Sequence, residues 1–445
     1  MEQECEQKAT QIGTKNKDNK IHYLDFSQQK TKSLQSSKKQ SNKSGYTTVS
    51  EEVVNSKPTL PVYFIRPNSL KRAASWFLQN FTSTKHATDI LYSVKSNPDR
   101  AILTHLFNSG IKHFDVASAA EINLIAELFD KQAKMYFMHP IKSREAIYEA
   151  YFNHDIRDFS LDSFDELEKI LEVTNNAKDL NLHIRLAIPN SHAAIDLSGK
   201  FGILPSESIG LLRKARTVVN KLGICFHVGS QCMDPIEYRN AIMITKEVLE
   251  QAKVRLDVLD IGGGFPSTYP GMTPPDLHKY FDEIFDAINQ LGLDRDCKIW
   301  CEPGRALVAE SGSLLVRVEA RKKNMLYLND GTYGGLFDAG FPGFIYPTKA
   351  IRIKNKTTLN SETEAFGFYG PTCDSLDSMK GPFYLPTNIA EGDYIEIGQL
   401  GAYSRSIRTE FNGFNKNLQI EVSDEPLASL YQQYEKGSVK KKKNR

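Results

Sequence analysis

Several side chains suited to chemistry stand where short apolar runs of the chain end. Lys95 closes the run ILYSVK, and Glu302 and Arg305 follow the run KIWC. A lysine at the end of a buried strand has no obvious structural role, whereas its amine can form a Schiff base with an aldehyde. The positions that share this placement are Lys95, Asp115, Arg185, His227, Ser230, Gly262, Gly263, Gly264, Glu302 and Arg305. Together they predict one active site.

The glycine run 262–264 predicts an anion-binding loop. Consecutive glycines directly after a strand expose backbone N–H groups, and a following helix would add its positive end. Arg305 and Ser230 supply further donors of the kind that bind phosphate. A tight turn without a ligand also explains the glycines taken alone. The phosphate interpretation therefore depends on the other residues around them.

The elements that would position these residues alternate regularly. Short apolar runs are separated by longer stretches with helical periodicity. The runs are ILYSVK (90–95), HFDVAS (113–118), KMYFMHP (134–140), RDFSLDS (157–163), LHIRLAI (182–188), ICFHVGS (224–230), VLDIGGG (258–264) and KIWCEPG (298–304). Such a series of β-then-α units predicts an α/β fold, a TIM-type (β/α)8 barrel over residues 58–311. Its chemistry is expected at the C-terminal ends of the strands.

A second pattern begins after Gly304. Alternating strands such as SLLVRVEA (313–320) and YIEIG (394–398) are separated by Gly and Pro turns, without comparable helices. This pattern predicts a C-terminal β-barrel or β-sandwich domain over residues 312–435. The extended run PVYFIR (61–66), which precedes the first barrel helix, is a candidate strand of that same sheet.

Both ends of the chain differ from its middle in composition. Residues 1–57 are rich in Lys, Gln, Ser and Asn and have few large apolar side chains, which predicts a disordered arm. A mitochondrial targeting peptide is disfavoured because no arginine precedes Arg66. Residues 436–445 form a basic tail to which we assign no function.

The bulk composition excludes several classes of protein. A formal net charge of +2, with 40% hydrophobic and 25% charged residues, is typical of a soluble globular protein and gives no indication of a nucleic-acid partner. No apolar run is long enough to span a membrane. The six cysteines are sparse and lack metal-ligand spacing, so we expect a reducing cytoplasm, no disulfide framework and no metal site.

A set of motifs resembles one known family. They are YSVKSNP (92–98), FDVASAAEI (114–122), FHVGSQC (226–232), DIGGGFP (260–266), CEPGR (301–305), NDGTYGG (329–335), GPTCDSLD (370–377) and GAYS (401–404). From about residue 61 to 420 the chain resembles the group IV, alanine-racemase-fold (fold type III) decarboxylases, and within them the ornithine decarboxylase branch. Diaminopimelate decarboxylases share the glycine and EPGR elements, but GPTCDSLD favours the ornithine and lysine branch.

This resemblance implies pyridoxal 5'-phosphate as cofactor and implies roles by position. Lys95 resembles the Schiff-base lysine, Glu302 the partner of the pyridine nitrogen, and His227 the imidazole that stacks on the ring. The implied phosphate-binding residues are Ser230, Gly262, Gly263, Gly264, Arg305 and Tyr403. The residues implied to support the lysine and the ring are Asp115, Glu121 and Arg185. A carboxylate beside the pyridine nitrogen keeps it protonated, so that the ring can accept electrons when carbon dioxide leaves.

The resemblance also implies a homodimer with shared active sites. Cys373 and Asp374 match residues offered to the site of the neighbouring subunit, and Lys200 and Asp377 match an ion pair across the dimer. A thiol near the carbanion can return a proton to it, so Cys373 is the candidate acid. A buried structural cysteine is the alternative interpretation.

One segment departs from the eukaryotic pattern of this family. In GGLFDAGFPGFIYP (334–347), Pro342 stands where the substrate-binding aspartate is expected, and Asp338 lies four positions earlier. We therefore predict Tyr333, Asp338 and Asp374 as substrate-binding residues. The segment is similar to that of bacterial ornithine or lysine decarboxylases. Because one methylene is worth only about 1–3 kcal/mol, a lysine or dual lysine/ornithine decarboxylase is the alternative to an ornithine decarboxylase making putrescine.

Two other functions are weighed against decarboxylation. A catalytically silent regulatory homologue would be expected to lose cofactor residues, but Lys95, Glu302, Arg305 and Cys373 are all kept. A pyridoxal-phosphate carrier needs only the barrel, so the β domain disfavours it.

Overall fold

The computed structural model describes residues 46–189, 193–195, 199–353 and 357–434. The predicted basic tail and residues 1–45 of the predicted disordered arm lie outside them. The prediction of disorder as far as residue 57 is wrong for Val49–Ser56, which form helix α1. Thr48 and Glu51 cap each other reciprocally at its start, and Val49 and Val53 are fully buried. The composition averaged over residues 1–57 is polar, so it does not reveal this short amphipathic helix.

Up to residue 308 the strands and helices alternate, except that the short strands β7 and β9 directly follow β6 and β8, and strands dominate afterwards. The strands are β1 (Val62–Ile65), β2 (Thr88–Ser93), β3 (His113–Val116), β4 (Lys134–Phe137), β5 (Asp158–Leu161), β6 (Asn181–Arg185), β7 (Ala193–Ile195), β8 (Lys221–Cys225), β9 (Ser230–Cys232), β10 (Val258–Asp260), β11 (Lys298–Cys301), β12 (Gly312–Lys322), β13 (Met325–Leu328), β14 (Thr348–Ile351), β15 (Thr363–Tyr369), β16 (Ser378–Pro386), β17 (Tyr394–Ile397) and β18 (Leu418–Glu421). The remaining helices are α2 (Pro67–Asn80), α3 (Arg100–Asn108), α4 (Ala119–Phe129), α5 (Arg144–Tyr148), α6 (Phe164–Val173), α7 (Pro205–Arg216), α8 (Ile236–Ala252), α9 (Leu277–Leu291), α10 (Arg305–Val308) and α11 (Phe337–Gly340).

The predicted parallel barrel is confirmed. Its strands close in the order β10–β11–β2–β3–β4–β5–β6–β8, and each predicted apolar run overlaps one of them. A helix follows every barrel strand, from α3 after β2 to α10 after β11. Because all the strands are parallel, the residues that follow them meet at one end of the barrel.

The helices pack on the barrel through one apolar face each. In α9, Tyr280, Ile284, Ala287 and Ile288 are buried, at the spacing that places side chains on one face of a helix. Gly292 ends this helix in the left-handed conformation, with a φ of 72°, as is usual for a glycine at this position.

The predicted C-terminal β domain is an eight-stranded sheet. Its main path runs β14–β17–β12–β13–β15–β16. The prediction that the run 61–66 returns to this sheet is confirmed, since β1 pairs with β12 antiparallel and with β18 parallel. Both faces of β12 are covered, because Leu314 and Val316 belong to one apolar cluster and Leu315 to another. Arg66, directly after β1, is buried and pairs with Glu396 of β17 at 2.5 Å.

The last described segment returns to the barrel. Leu430 and Tyr431 are buried in the barrel core, and the Tyr431 hydroxyl donates to the Ala306 carbonyl at 2.7 Å. Glu310 accepts from the Ser429 hydroxyl at 2.8 Å and the Leu430 N–H at 3.0 Å. The β domain as predicted by sequence therefore includes residues that complete the barrel.

We expect helix α1 to contribute measurably to the stability of the fold. Val53→Ala should lower the free energy of unfolding by about 1–3 kcal/mol, because it leaves a cavity under a fully buried side chain. Thermal unfolding checks this expectation. Val54→Ala is the matched control, since Val54 is 44% exposed and its loss should change the melting temperature little. Equal melting temperatures for the two variants would show that α1 does not dock as described.

Candidate active site

Lys95 lies in a 3-10 turn, Val94–Ser96, directly after β2. Its ammonium donates to Asp115 Oδ2 at 2.9 Å, and the Ser93 hydroxyl donates to the same oxygen at 2.8 Å. Burial opposes the charge on Lys95, but the carboxylates of Asp115 and Glu302 outweigh it and raise the pKa of the amine above its ordinary value. The Lys95 side chain is still 44% exposed, so the amine is held in place and open to a ligand.

The turn that carries Lys95 is tied to the β domain. The Tyr403 N–H donates to the Ser96 carbonyl at 2.9 Å, and Asn97 Nδ2 donates to the Gly401 carbonyl at 2.7 Å. Tyr403 has a φ of 52°, an uncommon conformation for a large side chain that recurs at functional sites. The motifs YSVKSNP and GAYS therefore form one structural unit across the two domains.

The glycine run lies where side chains would not fit. A Cβ on Gly262 would come 2.0 Å from the Phe226 carbonyl oxygen, and one on Gly263 would come 2.7 Å from that of Glu302. In the described part of the chain, no acceptor is found for the N–H groups of Gly263 and Gly264. The expected contribution of a following helix is wrong, because α9 begins only at Leu277. The N–H groups of Gly263 and Gly264, without a helix N-terminus behind them, are the donors that this loop offers to an anion.

Arg305 begins α10 and faces the same end of the barrel. Its Nη1 donates to the Tyr269 hydroxyl at 2.8 Å, and its Nη2 lies 3.4 Å from both Ser230 Oγ and Asp338 Oδ2. The Tyr403 ring centre is 4.9 Å from the guanidinium carbon. Arg305 Nε is buried and lacks an acceptor among the described residues. The cluster thus retains donor capacity for an anion.

Glu302 and Asp260 form a buried acidic pair beside Lys95. Glu302 is 9% exposed and Asp260 is 0% exposed. Burial raises the pKa of Glu302 well above its ordinary value, and the neighbouring Asp260 carboxylate raises it further. Burial also raises the pKa of Asp260, to about 6. Glu302 Oε1 has no donor in the described chain, as expected of a group that serves a ligand.

His227 follows β8 and is held as a neutral imidazole. The Gly229 N–H donates to its Nδ1 at 3.0 Å, so the neutral ring carries its hydrogen on Nε2. Burial, followed by the positive charges of Arg185 and Lys95, lowers the pKa of His227 well below its ordinary value. A neutral flat ring at this position is suited to stacking on an aromatic ligand.

Glu121 and Arg185 border this cluster. Glu121 Oε2 accepts from the Ala117 N–H at 2.7 Å, and burial raises the pKa of the Glu121 carboxyl to about 6. Arg185 ends β6, half-buried, with its guanidinium carbon 5.7 Å from the Phe201 ring centre. The charge of Glu121 acts on Lys95, and that of Arg185 acts on His227.

Tyr333, Cys373 and Asp374 form a second cluster, within the β domain. The Tyr333 hydroxyl donates to Asp374, and the Cys373 N–H donates to Asn412 Oδ1 at 3.0 Å. The Cys373 side chain is exposed, and Cys373 and Asp374 line a surface cavity of about 590 Å³. The hydrogen bonds described for Cys373 and Asp374 include none to the Lys95 cluster. Within the described residues, these two side chains are therefore not linked to the Lys95 cluster by hydrogen bonds.

Asp377 holds the loop that carries Cys373. It is 2% exposed and accepts from the backbone N–H and the hydroxyl of both Thr332 and Thr372, at 2.7–3.1 Å. These four donors come from its own chain. Lys200 is exposed, and its predicted ion pair with Asp377 of a second chain stays a prediction.

Sequence reasoning missed three contributors to the site. Ser93 lies two residues before Lys95, and strand alternation could have placed it on the same side. Asp260 stands in the quoted motif DIGGGFP and received no role. Tyr269 lies in the long loop before α9, and no pattern distinguishes it.

The cluster around Lys95 fits pyridoxal phosphate. The amine matches the aldehyde of that molecule, and the open backbone donors with the partly unpaired arginine match its phosphate. The buried unpaired carboxyl matches the pyridine nitrogen, and the neutral imidazole matches the face of the ring. At the strand ends of a (β/α)8 barrel joined to a β domain, this set defines a barrel-type pyridoxal-phosphate enzyme. No metal-binding cluster occurs within the described ranges.

Comparisons with known proteins agree with this class. Residues 68–309 match the family described as pyridoxal-dependent decarboxylase, pyridoxal binding domain. A lysine/ornithine decarboxylase of Selenomonas ruminantium is 31% identical over 345 residues, which cover 76% of this chain and 84% of that protein. An ornithine decarboxylase of Caenorhabditis elegans is 30% identical over 366 residues, covering 76% and 82%. The structure of an arginine decarboxylase of Paramecium bursaria Chlorella virus, bound to agmatine, has a TM-score of 0.73 and 26% identity, covering 84% and 98%.

The chain belongs to the pyridoxal-dependent decarboxylase family, with pyridoxal phosphate as its cofactor. The predicted fold class is thereby confirmed, and so is the resemblance from which the cofactor was inferred. Helices capable of crossing a membrane do not occur in the described part of the chain.

Proposed function

We propose that the protein decarboxylates L-ornithine to putrescine and carbon dioxide. The main support for this reaction is the Lys95 amine, which Asp115 fixes at 2.9 Å and which lies beside the buried Glu302. Ornithine is proposed because its name recurs among the relatives, and because Asp338 and Asp374 offer carboxylates to a second ammonium group. The unpaired state of the five described cysteines supports action in the cytoplasm.

Each side chain of the Lys95 cluster has a task in this proposal. Lys95 would hold the cofactor through its side-chain amine, which Asp115 orients by accepting its hydrogen bond at 2.9 Å. The N–H groups of Gly263 and Gly264, with Arg305, Ser230 and Tyr403 beside them, would bind the phosphate. His227 would stack on the ring, while Arg185 and Glu121 would set the charge around it. When bound, pyridoxal phosphate supplies the electron sink for the electron pair left by carbon dioxide.

A second copy of the chain completes the proposed site. Cys373 is exposed, and its loop is held rigidly by Asp377. From a partner subunit, its thiol would return a proton to the α-carbon of the substrate, and Asp374 would meet the distal ammonium. The homodimer is thus part of the proposal.

A lysine or dual lysine/ornithine decarboxylase is the second candidate. Pro342 stands at the position of the expected aspartate, and Asp338 lies four positions earlier in α11, which favours a pocket that differs from the eukaryotic one. Carbon dioxide release from ornithine, lysine, arginine and diaminopimelate, with cofactor added, decides between the candidates. A higher kcat/KM for lysine than for ornithine would replace the first candidate with the second. No release from any of the four would favour a silent homologue.

Substitution of Asp374 tests the proposed ammonium site. Asp374→Ala should raise KM for both ornithine and lysine, because it removes the carboxylate that is proposed to meet the distal ammonium group. The cofactor dissociation constant should not change. Glu410→Ala is the control for an exposed acid of the same domain, and it should leave KM unchanged.

Substitution of Asp338 separates two roles. In this chain Asp338 is 5% exposed and pairs with Arg305 at 3.4 Å. If Asp338 binds the substrate, as proposed, Asp338→Ala should raise KM for both amino acids, alter their ratio and leave cofactor affinity intact. If Asp338 serves only Arg305, cofactor affinity should fall while KM stays normal. The latter result would remove Asp338 from the substrate pocket.

A further inference from the structure

Tyr269 is a buried tyrosine whose hydroxyl has no task in the reaction described so far. It lies in the loop before α9 and is 2% exposed. Its oxygen accepts from Arg305 Nη1 at 2.8 Å. The hydroxyl has one hydrogen of its own to donate, and no acceptor for it is found in the part of the chain that the structure describes. A buried donor of this kind is costly unless a ligand accepts from it.

The loop around Tyr269 is held by hydrogen bonds at several points. The side-chain amide of Gln231 donates to the Ser267 carbonyl at 2.6 Å and accepts from the Ser267 N–H at 2.9 Å. Tyr269 and Met272 exchange two backbone hydrogen bonds, at 3.0 and 2.9 Å. The Tyr269 ring packs edge-on against Phe344, with the ring centres 5.1 Å apart. The hydroxyl is therefore fixed in one place beside the guanidinium.

The open hydroxyl hydrogen is one of several donors without a partner around Arg305. Arg305 Nε is buried and lacks an acceptor among the described residues, and Nη2 lies 3.4 Å from Ser230 Oγ. The glycine run adjoins Ser230, since a Cβ on Gly264 would come 2.7 Å from the Gly229 carbonyl oxygen. Hydroxyl, guanidinium and backbone N–H groups are the donors that bind phosphate in proteins. Tyr269 therefore adds an O–H donor to the same set.

A purely structural role does not require a hydroxyl at position 269. A phenylalanine would fill the same apolar space against Phe344 and would bury no polar group. The contact that the hydroxyl adds is the one to Arg305, whose other arm faces Asp338 at 3.4 Å. Burial raises the pKa of Tyr269 above its ordinary value, so the hydroxyl keeps its hydrogen at neutral pH and can donate it.

We propose that Tyr269 is a further phosphate-binding residue, whose hydroxyl accepts from Arg305 and donates its own hydrogen to the phosphate of bound pyridoxal phosphate. This inference rests on the phosphate site proposed for Gly263, Gly264 and Arg305. The hydroxyl fixes the direction of the guanidinium and adds a neutral donor to the groups that meet the anion. Because a hydrogen bond to a charged group is stronger than one between neutral groups, its loss should weaken cofactor binding measurably.

The test compares pyridoxal phosphate with pyridoxal, which lacks the phosphate. The cofactor is removed from the full chain by dialysis against hydroxylamine, and the dissociation constants of both compounds are then measured from the absorbance of the bound compound. Tyr269→Phe should raise the dissociation constant of pyridoxal phosphate by about tenfold or more, and that of pyridoxal by less than about twofold. Equal weakening of both compounds would mean a merely structural loss and would overturn the inference.

Two reference variants separate this inference from the phosphate site on which it rests. Tyr136→Phe removes the hydroxyl of another buried tyrosine, which hydrogen-bonds to His113 Nδ1 at 2.7 Å, and should bind both compounds like the wild type. Arg305→Gln should weaken the binding of pyridoxal phosphate and spare that of pyridoxal. Wild-type affinities in Arg305→Gln would overturn the phosphate site itself. Wild-type affinities in Tyr269→Phe, with a weakened Arg305→Gln, would overturn the assignment of Tyr269 alone. Should Tyr269→Phe fail to fold, Tyr269→Met removes the hydroxyl in a more adaptable side chain and is subject to the same outcomes.

Discussion

Lys95→Ala should abolish both covalent attachment of the cofactor and catalysis. The alanine removes the amine that Asp115 holds at 2.9 Å, so pyridoxal phosphate would bind only through its phosphate and ring. We expect kcat to fall by about a thousandfold or more, in the range found when the nucleophile of an enzyme is removed. Borohydride reduction followed by peptide mass spectrometry should find the cofactor on Lys95 in the wild type and on no peptide of the variant.

Lys298→Ala provides the matched control. Its side chain is 43% exposed, close to the 44% of Lys95, and it too pairs with an aspartate, Asp89, at 3.3 Å. It differs in standing at the N-terminal end of a barrel strand, away from the predicted chemistry. The adduct and turnover should therefore persist in this variant. An adduct on a lysine other than Lys95 in the wild type would contradict the assignment.

Mixing two inactive variants should restore about a quarter of the wild-type activity. Lys95→Ala and Cys373→Ala damage residues that the structure places in separate clusters of one chain. If each site takes Lys95 from one subunit and Cys373 from the other, a heterodimer has one intact site and one doubly damaged site. Random exchange makes half of the dimers mixed, so about one site in four is intact.

The control for this experiment uses two residues of the same cluster. Lys95 and Glu302 interact within one chain, so a mixture of Lys95→Ala with Glu302→Gln should recover no activity. Subunit exchange is verified by co-purification of differently tagged chains. Recovery in neither mixture, despite exchange, would exclude a shared site. Equal recovery in both mixtures would mean that the two clusters do not come from different subunits.

Much of the fold could be predicted from two regularities of the sequence and of parallel barrels. Alternation of apolar runs with helical stretches located every barrel strand, and parallel strands bring their C-terminal ends together whatever lies between them. Lys95, Asp115 and Glu302 could therefore be assigned to one site from sequence. The return of the run 61–66 to the β domain followed from its apolar, extended character.

The features that could not be predicted depend on tertiary context. Helix α1 is eight residues long and is stabilised by two valines that bury against distant strands, so composition alone does not reveal it. The loop between Gly264 and Leu277 carries no periodicity, and a helix directly after the glycines was the wrong expectation. Contact between Arg305 and Asp338 joins residues of two domains, and no local pattern encodes it.

The position of β1 has a consequence for synthesis of the protein on the ribosome. Its two neighbours in the sheet are β12, which begins at residue 312, and β18, which begins at residue 418. Val62 and Phe64, both fully buried in the finished protein, leave the ribosome long before either neighbour exists. Until then this apolar strand has two open edges, which favour association with other chains. We therefore expect β1 to be prone to association until β12 and β18 have been synthesised. A fragment that stops at the end of the barrel would lack both of these neighbouring strands.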